Sequence, residues 1–332
     1  MRKVVLISVF VPVIFLGASS YALSHWNTIF IDQQTVITPL AEIKEKPKPL
    51  SPLEDKEVLN VLLIGVDRRS KFELGFNTDT MILVSLNPKT HKVLLTSVPR
   101  DLWINGNKIN ALYTVNGPES LIDAFKQISG QDIDGYILTD FFDFKWVVDS
   151  FGGVSVDVER TFTDYTFPND TDTDIVTVTF TEGIEVLDGD RALTFARSRK
   201  GTNGEGSDLM RAKRQHLLLQ GLVEAVNNPE NVYKPFDIKT FFEAVTSVGR
   251  MKTTLSLYDA LYLWDFYKDR EQYEIESFVV GDDYIYHPGT YPESAYSAWV
   301  FVPRDPLWEQ LHLDIESKLD GTFVEETKTL SE

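Results

Sequence analysis

Four arginines, Arg197, Arg199, Arg211 and Arg214, fall within eighteen positions of a chain that carries 50 acidic against 32 basic residues. Guanidiniums crowded this way repel unless something anionic joins them, and each presents a planar fork of donors that matches phosphate oxygens. Residues 192–215 read ALTFARSRKGTNGEGSDLMRAKRQ. Arg197 and Arg199, two apart, share a face if the backbone there is extended. GTNGEGS is a loop by composition, and Ser207 is a good N-cap for a helix beginning near Asp208. On that helix Arg211 and Gln215 are i,i+4 neighbours, Asp208 lies i,i+3 from Arg211, and Arg214 is one position round. The pattern describes two arginine pairs facing each other across a glycine-rich loop near a helix N-terminus, a cradle for phosphate or pyrophosphate. The alternative is a solvated charged helix whose arginines pair with the carboxylates around them.

Asp67 and Asp79 stand at the two ends of one polar loop, each at a junction with an apolar run. If those runs are neighbouring strands, both carboxylates arrive at one sheet edge. Two carboxylates held close repel, and a hard cation resolves that: magnesium takes one or two protein carboxylates and completes its octahedron with water and substrate phosphate, and manganese takes similar oxygen donors. The alternative is a pair of turn residues that never meet. Asp170, Asp172 and Asp174 invite a calcium reading, but an EF-hand loop would then have Ile175 at its glycine position and Thr181 at its glutamate position. The sequence contains no GxxxxGK[ST] phosphate loop, no HExxH and no GxSxG. Its five histidines show no ligand spacing. His216, next to Gln215, either reaches the site or packs away from it.

These side chains need a scaffold, and 332 residues with 43% hydrophobic content can build a full-sized core. Arg2 and Lys3 precede about twenty uncharged residues, the pattern of an uncleaved anchor with its N-terminus in the cytoplasm, or else of a cleaved signal peptide. The expected order is a short cytoplasmic segment 1–3, a transmembrane helix 4–23, a proline-bearing stalk 24–57, a domain 58–320 and a polar tail 321–332. Within the domain, residues 58–66, 80–86 and 93–98 read as apolar strands, with a hairpin turn at 87–91. Residues 118–128 form an amphipathic helix stopped by Gly130, 141–150 another, and 154–158 a strand. Residues 163–180 look like an inserted acidic hairpin; helices follow at 216–226, 241–248 and 255–268, then strands at 273–280 and 299–302. Strands alternating with helices indicate an α/β class, a layered α/β/α domain around a mixed sheet. The chain has no cysteine, so thiol catalysis and disulfides drop out. A net charge of −18 argues against nucleic acid as a partner.

In order, the motifs are NVLLIGVD from Asn60, TDTMILVSLNP from Thr78, TSVPRD from Thr96, KIN from Lys108, then FARSRK and DLMRAKRQ. This set resembles the LytR-CpsA-Psr family of cell-envelope proteins. The resemblance implies a membrane-anchored α/β/α domain outside the cytoplasmic membrane. It would be a phosphotransferase that moves a glycopolymer, such as a teichoic acid or capsule chain, from a polyprenyl-pyrophosphate carrier to peptidoglycan. By resemblance Asp67 and Asp79 hold magnesium, Arg100, Arg197, Arg199, Arg211 and Gln215 grip the pyrophosphate, and Lys108 and Asp208 match further family positions. A pocket for the polyprenyl tail would lie between sheet and helices. Where family members carry an arginine before the second aspartate, this chain has Asn77, which Arg68 or Arg69 would have to replace. A non-catalytic lipid-glycan scaffold and a pyrophosphatase are the competing classes for the same residues.

Overall fold

The computed structural model describes residues 51–68, 76–169, 173–289 and 299–323. The expected anchor 4–23, most of the stalk, Arg69, Asp170 and Asp172, and the end of the tail lie outside these. Among the described residues no helix is long and apolar enough to cross a membrane. The described fold begins earlier than position 58. A short 3₁₀ turn, Pro52–Asp55, is capped by Ser51, buries Leu53 and is tied through the Ser51 hydroxyl to Asp259. Residues 51–57 therefore belong to the domain and not to a stalk.

The chain then runs β1 (Leu59–Val66), β2 (Thr78–Asn87), β3 (Lys92–Ser97), the short β4 (Trp103–Ile104) and β5 (Asn107–Lys108), α1 (Ile109–Asn116) and α2 (Pro118–Ser129). It continues through β6 (Gly135–Asp140), α3 (Phe141–Ser150), β7 (Val154–Val158), β8 (Phe162–Pro168), β9 (Ile175–Phe180), β10 (Gly183–Leu187), α4 (Gly189–Arg197) and α5 (Asp208–Ala225). Last come α6 (Ile238–Ser247), β11 (Met251–Thr253), α7 (Leu257–Lys268), β12 (Glu274–Val279), β13 (Ile285–Tyr286), β14 (Val302–Pro303) and α8 (Glu309–Asp320).

Six strands form one mixed sheet in the order β11-β6-β1-β2-β3-β12. β1 is antiparallel to β2 and parallel to β6, and β12 is parallel to β3. Because side chains alternate faces along a strand, β1 sends Leu62, Ile64 and Val66 into a dense core with α1, α2 and α8. Leu63 and Gly65 face the other way, and that side of the sheet is less completely filled. A second apolar cluster joins α3, β7, the β8–β9 hairpin, α4 and α5.

Local signals explain most elements. Gly130 ends α2 in the left-handed conformation, φ 70°, as its position predicts. The β2–β3 turn is held by Asn87, whose side-chain oxygen accepts from the Lys89 and Thr90 amides. The extended backbone on which a shared Arg197–Arg199 face depended is not found over residues 192–196. They form the body of α4, because Asp188 caps it by accepting from the Arg191 amide at 2.8 Å. Arg197 ends that helix and Arg199 lies just beyond its C-cap, Ser198, so the two do not share a strand face. The strand expected at 299–302 is reduced to β14 and a bridge between Leu102 and Phe301, and α8 carried no sequence signal that had singled it out.

Candidate functional site

The antiparallel pairing of β1 and β2 places Val66 opposite Thr78, and the Asp67 amide donates to the Asn77 carbonyl at 3.0 Å. Asp67 and Asp79 therefore reach the same sheet edge, as adjacent strands require. β6 places Asp140 beside Val66 on that edge, where it caps α3 by accepting from the Asp143 amide at 3.0 Å. The segment leaving β3 carries Arg100, whose Nη1 donates to Asp79 Oδ2 at 2.7 Å.

The opposite wall comes from α4, the loop after it and α5. Ser207 caps α5 by accepting from the Met210 amide at 3.1 Å, as its sequence position predicts. Arg199 grips Asp208 with two bonds of 2.8 and 2.9 Å. Arg211 Nη2 lies 3.4 Å from Asp208 Oδ1 and 3.5 Å from the Asp79 carbonyl oxygen, which closes the gap between the two walls. The Arg197 guanidinium lies over the Phe141 ring at 4.8 Å and the Phe167 ring at 5.4 Å. Gln215 Nε2 donates to the Ala196 carbonyl at 3.2 Å. Asp67, Asp79, Arg100, Arg197, Arg199, Arg211 and Gln215 all line one cavity of about 650 Å³. Its remaining wall is mostly apolar, with Leu63, Ile137, Phe144, Leu218, Phe241 and Met251 between sheet and helices. A ligand that fills it has a strongly charged head and a hydrocarbon body.

The charged end is left electrostatically incomplete. Arg211 is 6% exposed, and burial lowers its pKa, opposed by Asp208 and reinforced by the neighbouring Arg199 and Arg100 cations. Burial opposes ionisation of Asp208 too, but Arg211, Arg199 and Arg100 hold its pKa below the usual carboxylate range. Arg211 Nε is buried without a hydrogen-bond acceptor, Arg100 Nε has none nearer than Asp101 Oδ2 at 3.6 Å, and Asp79 Oδ1 is buried without a donor. Orphaned groups of this kind cost free energy unless a ligand supplies partners. The unmatched N–H groups ask for an anion and the unmatched carboxylate oxygen for a cation. Asp67 and Asp79 are the residues that could hold that cation: two carboxylates on one wall suit a hard ion whose other oxygens come from water and phosphate. Among the described residues no group of three or more acidic, histidine or cysteine side chains is placed to hold a metal.

Several expected contacts fall elsewhere. Arg214 is 2% exposed and turned away: its donors go to the Phe195, Ser198 and Glu205 carbonyls and to Glu205 Oε2 at 2.7 Å. It ties the loop between α4 and α5 together and has no part in the cavity wall. Arg68 is likewise committed, donating to Asp140 Oδ2 at 2.8 Å and lying over the Phe76 ring, so it does not replace a cation at Asn77. Lys108 pairs with Asp101 at 2.6 Å, and Asp208 is spent on positioning two arginines. His216 packs: it is 1% exposed, bonded to the Ser97 hydroxyl at 2.7 Å, and burial lowers its pKa to about 4.

Three charged cavity residues had not been singled out: Asp140, described above, Asp164 and Lys200. Asp164, on β8, accepts from the Ser198 hydroxyl at 2.8 Å and from the Arg199 and Lys200 amides at 3.3 and 3.1 Å, while its other oxygen accepts from the Thr166 amide. Burial opposes its ionisation, and these bonds together outweigh burial and lower its pKa. The available signal was an aspartate on the same alternating face as Phe162, where an apolar residue is expected. Lys200, which also lines the cavity, stood beside the arginines without a spacing to mark it. Glycine is required in the loop they share, since a Cβ on Gly206 would stand 2.6 Å from the Gly201 carbonyl oxygen.

The model of the LytR_cpsA_psr family matches residues 28–298. The polyisoprenyl-teichoic acid–peptidoglycan teichoic acid transferase TagU of Oceanobacillus iheyensis is 30% identical over 227 residues, which cover 64% of this chain and 66% of that protein. TagU of Bacillus subtilis is 26% identical over 276 residues, 81% of this chain and 82% of that protein. Among solved structures, Bacillus subtilis TagV superposes with a TM-score of 0.58 at 25% identity, over 80% of this chain and 98% of that one.

Proposed function

The chain belongs to the LytR-CpsA-Psr family, and from that membership and the site geometry we propose that it transfers a glycopolymer phosphate from a polyprenyl-pyrophosphate carrier to a peptidoglycan hydroxyl. The observation that carries the reading is the coincidence, in one cavity, of an apolar body with a charged end that has both buried donors and a buried acceptor unmatched. A polyprenyl pyrophosphate has the complementary form, a hydrocarbon tail on a dianionic head.

In this reading Arg100 and Arg211 direct their unmatched Nε–H groups at the pyrophosphate, while Arg197 and Arg199 reach the same head from the α4 side. Asp208 keeps Arg199 and Arg211 aimed. The acceptor hydroxyl oxygen forms a bond to the sugar-linked phosphorus as that phosphorus loses its bridging oxygen, polyprenyl phosphate leaves with that oxygen, and the hydroxyl proton passes to solvent. Phosphoryl transfer of this type needs positioning and charge stabilisation more than a covalent nucleophile. A magnesium ion held by Asp67 and Asp79 would neutralise charge on the phosphate oxygens. The apolar wall takes the hydrocarbon tail out of water and so holds the head beside the charged groups. Residues 4–23 serve as the anchor that keeps the site beside its membrane-borne donor.

The full chain, given polyprenyl-pyrophosphate-linked glycan, magnesium and peptidoglycan, should yield glycan covalently fixed to peptidoglycan and resistant to organic extraction. Chelation should abolish the product. Glycan that is bound but fully extractable would mean a scaffold, and release of glycan phosphate to water would mean a pyrophosphatase.

A further inference from the structure

A cavity of about 650 Å³ has the size of a site for a drug-sized ligand, so a polymer joined to a lipid pyrophosphate must lie outside it. The glycan is attached to the pyrophosphate and therefore leaves past the charged end. Lys200 stands there. It lines the cavity directly after Arg199, and its side chain is exposed where that of Arg199 is half-buried, which puts it on the lip.

Its state differs from that of the other cavity cations. Arg100 is paired with Asp79, Arg199 and Arg211 with Asp208, and the Arg197 guanidinium lies over two aromatic rings. Among the described residues the Lys200 ammonium has no carboxylate partner, in a chain that carries 50 acidic against 32 basic residues. The backbone beneath it is fixed all the same. The Lys200 amide donates to Asp164 Oδ2 at 3.1 Å, Gly201 bridges to Asp164, and a Cβ on Gly206 would stand 3.4 Å from the Lys200 carbonyl carbon. The side chain thus starts from a set point beside the phosphate site and ends in a charge that no carboxylate neutralises.

We propose that Lys200 is a specificity residue for the donor: its ammonium pairs with an anionic group, phosphodiester or carboxylate, on the sugars next to the pyrophosphate. The proposal rests on the lipid-donor reading above and adds to it the charge of the glycan. An anionic glycopolymer is selected over a neutral one at the lip, by a residue that does not touch the transferred phosphorus. Elsewhere the surface is acidic and repels such a polymer, so the preference is set locally and weakens as salt screens the pair.

Steady-state turnover of two prenyl-pyrophosphoryl disaccharides that differ only by one phosphate ester on the outer sugar tests this, with the full chain and peptidoglycan as acceptor. The readout is the ratio of kcat/KM for the charged donor over the neutral one. Wild-type protein should favour the charged donor by about two- to fivefold, the range of a solvent-exposed ion pair. Lys200→Gln should bring the ratio to about one or below, and Lys200→Arg should keep it, because an exposed contact of this kind depends on the charge more than on the shape of the group. Lys213→Gln removes the same charge from an exposed position outside the cavity and should leave the ratio as in wild type. Equal ratios in wild type and Lys200→Gln, or an equal fall in Lys213→Gln, would overturn the contact while leaving the lipid-donor reading intact. A change confined to the KM for peptidoglycan would overturn it too, by assigning Lys200 to the acceptor. Turnover of neither donor by wild-type protein would overturn both.

Discussion

Arg197 and Arg214 are of one residue type and stand at opposite ends of the same stretch, yet they do different work. The Arg197 guanidinium borders the cavity, and Arg197→Lys keeps the charge but loses the planar fork. Turnover should fall by roughly 10²- to 10³-fold, by analogy with arginines that stabilise phosphoryl transfer, with the melting temperature unchanged; near-normal turnover would remove Arg197 from direct phosphate contact. Arg214→Met, by contrast, leaves Glu205, whose side chain is 5% exposed, with only the Arg160 guanidinium at 3.3 Å, and should destabilise the fold by about 1–3 kcal/mol in denaturant titration. The spacing of the arginines was legible in the sequence and the division of labour was not. Helical spacing fixes the angle between Arg211 and Arg214, but not which of them faces the sheet. His216 gives a pH signature at the same scale. Its pKa is lowered from 6.5 to about 4 because the folded state buries it neutral. The unfolded chain thus binds a proton that the native state refuses between those values, so this contribution is complete above pH 6.5 and is lost as pH falls towards 4. Urea titrations at pH 7 and 4.5 should show His216→Gln losing less stability on acidification than wild type, and an equal loss would contradict it.

The β8–β9 hairpin is the element whose role changed most on seeing the fold. Its alternation and acidic composition marked a hairpin, which forms a two-stranded sheet of its own, and Asp164 makes it the clamp of the arginine loop. Asp164→Ala removes acceptors from the Arg199 and Lys200 amides. Catalytic geometry tolerates little drift, so turnover should drop by about 10²-fold. Limited proteolysis should show new cleavage between residues 199 and 206, a change that an Arg199→Ala variant, which keeps the clamp, should not produce. Strand–loop–strand units such as β1 to β2 were readable because continuous apolar runs ended on polar turns. α4 was not legible because a short apolar segment fits helix or strand equally, and Asp188, the cap that decides the matter, lies before the arginine stretch.

At the scale of the whole molecule, the sheet brings Asp67, Asp79, Arg100 and Asp140 to one edge, while α4 and α5 close over its loosely filled face. The layered α/β class and the meeting of the two aspartates could be reasoned from strand order. The cavity could not, since its volume depends on how far the helices stand from the sheet, which no local pattern encodes. The net charge of −18 makes the local crowding of arginines more telling, because cationic groups are gathered where the rest of the surface is acidic. The account stands on the claim that this crowded end turns over a lipid pyrophosphate and does not merely hold it. The most direct measurement is the release of polyprenyl phosphate from a lipid-linked glycan by the full chain, with peptidoglycan present or omitted. The account predicts release that is stimulated by peptidoglycan, matched mole for mole by glycan attached to it, and lost in Asp79→Ala. Tight binding of the lipid with no polyprenyl phosphate released under any of these conditions would contradict it.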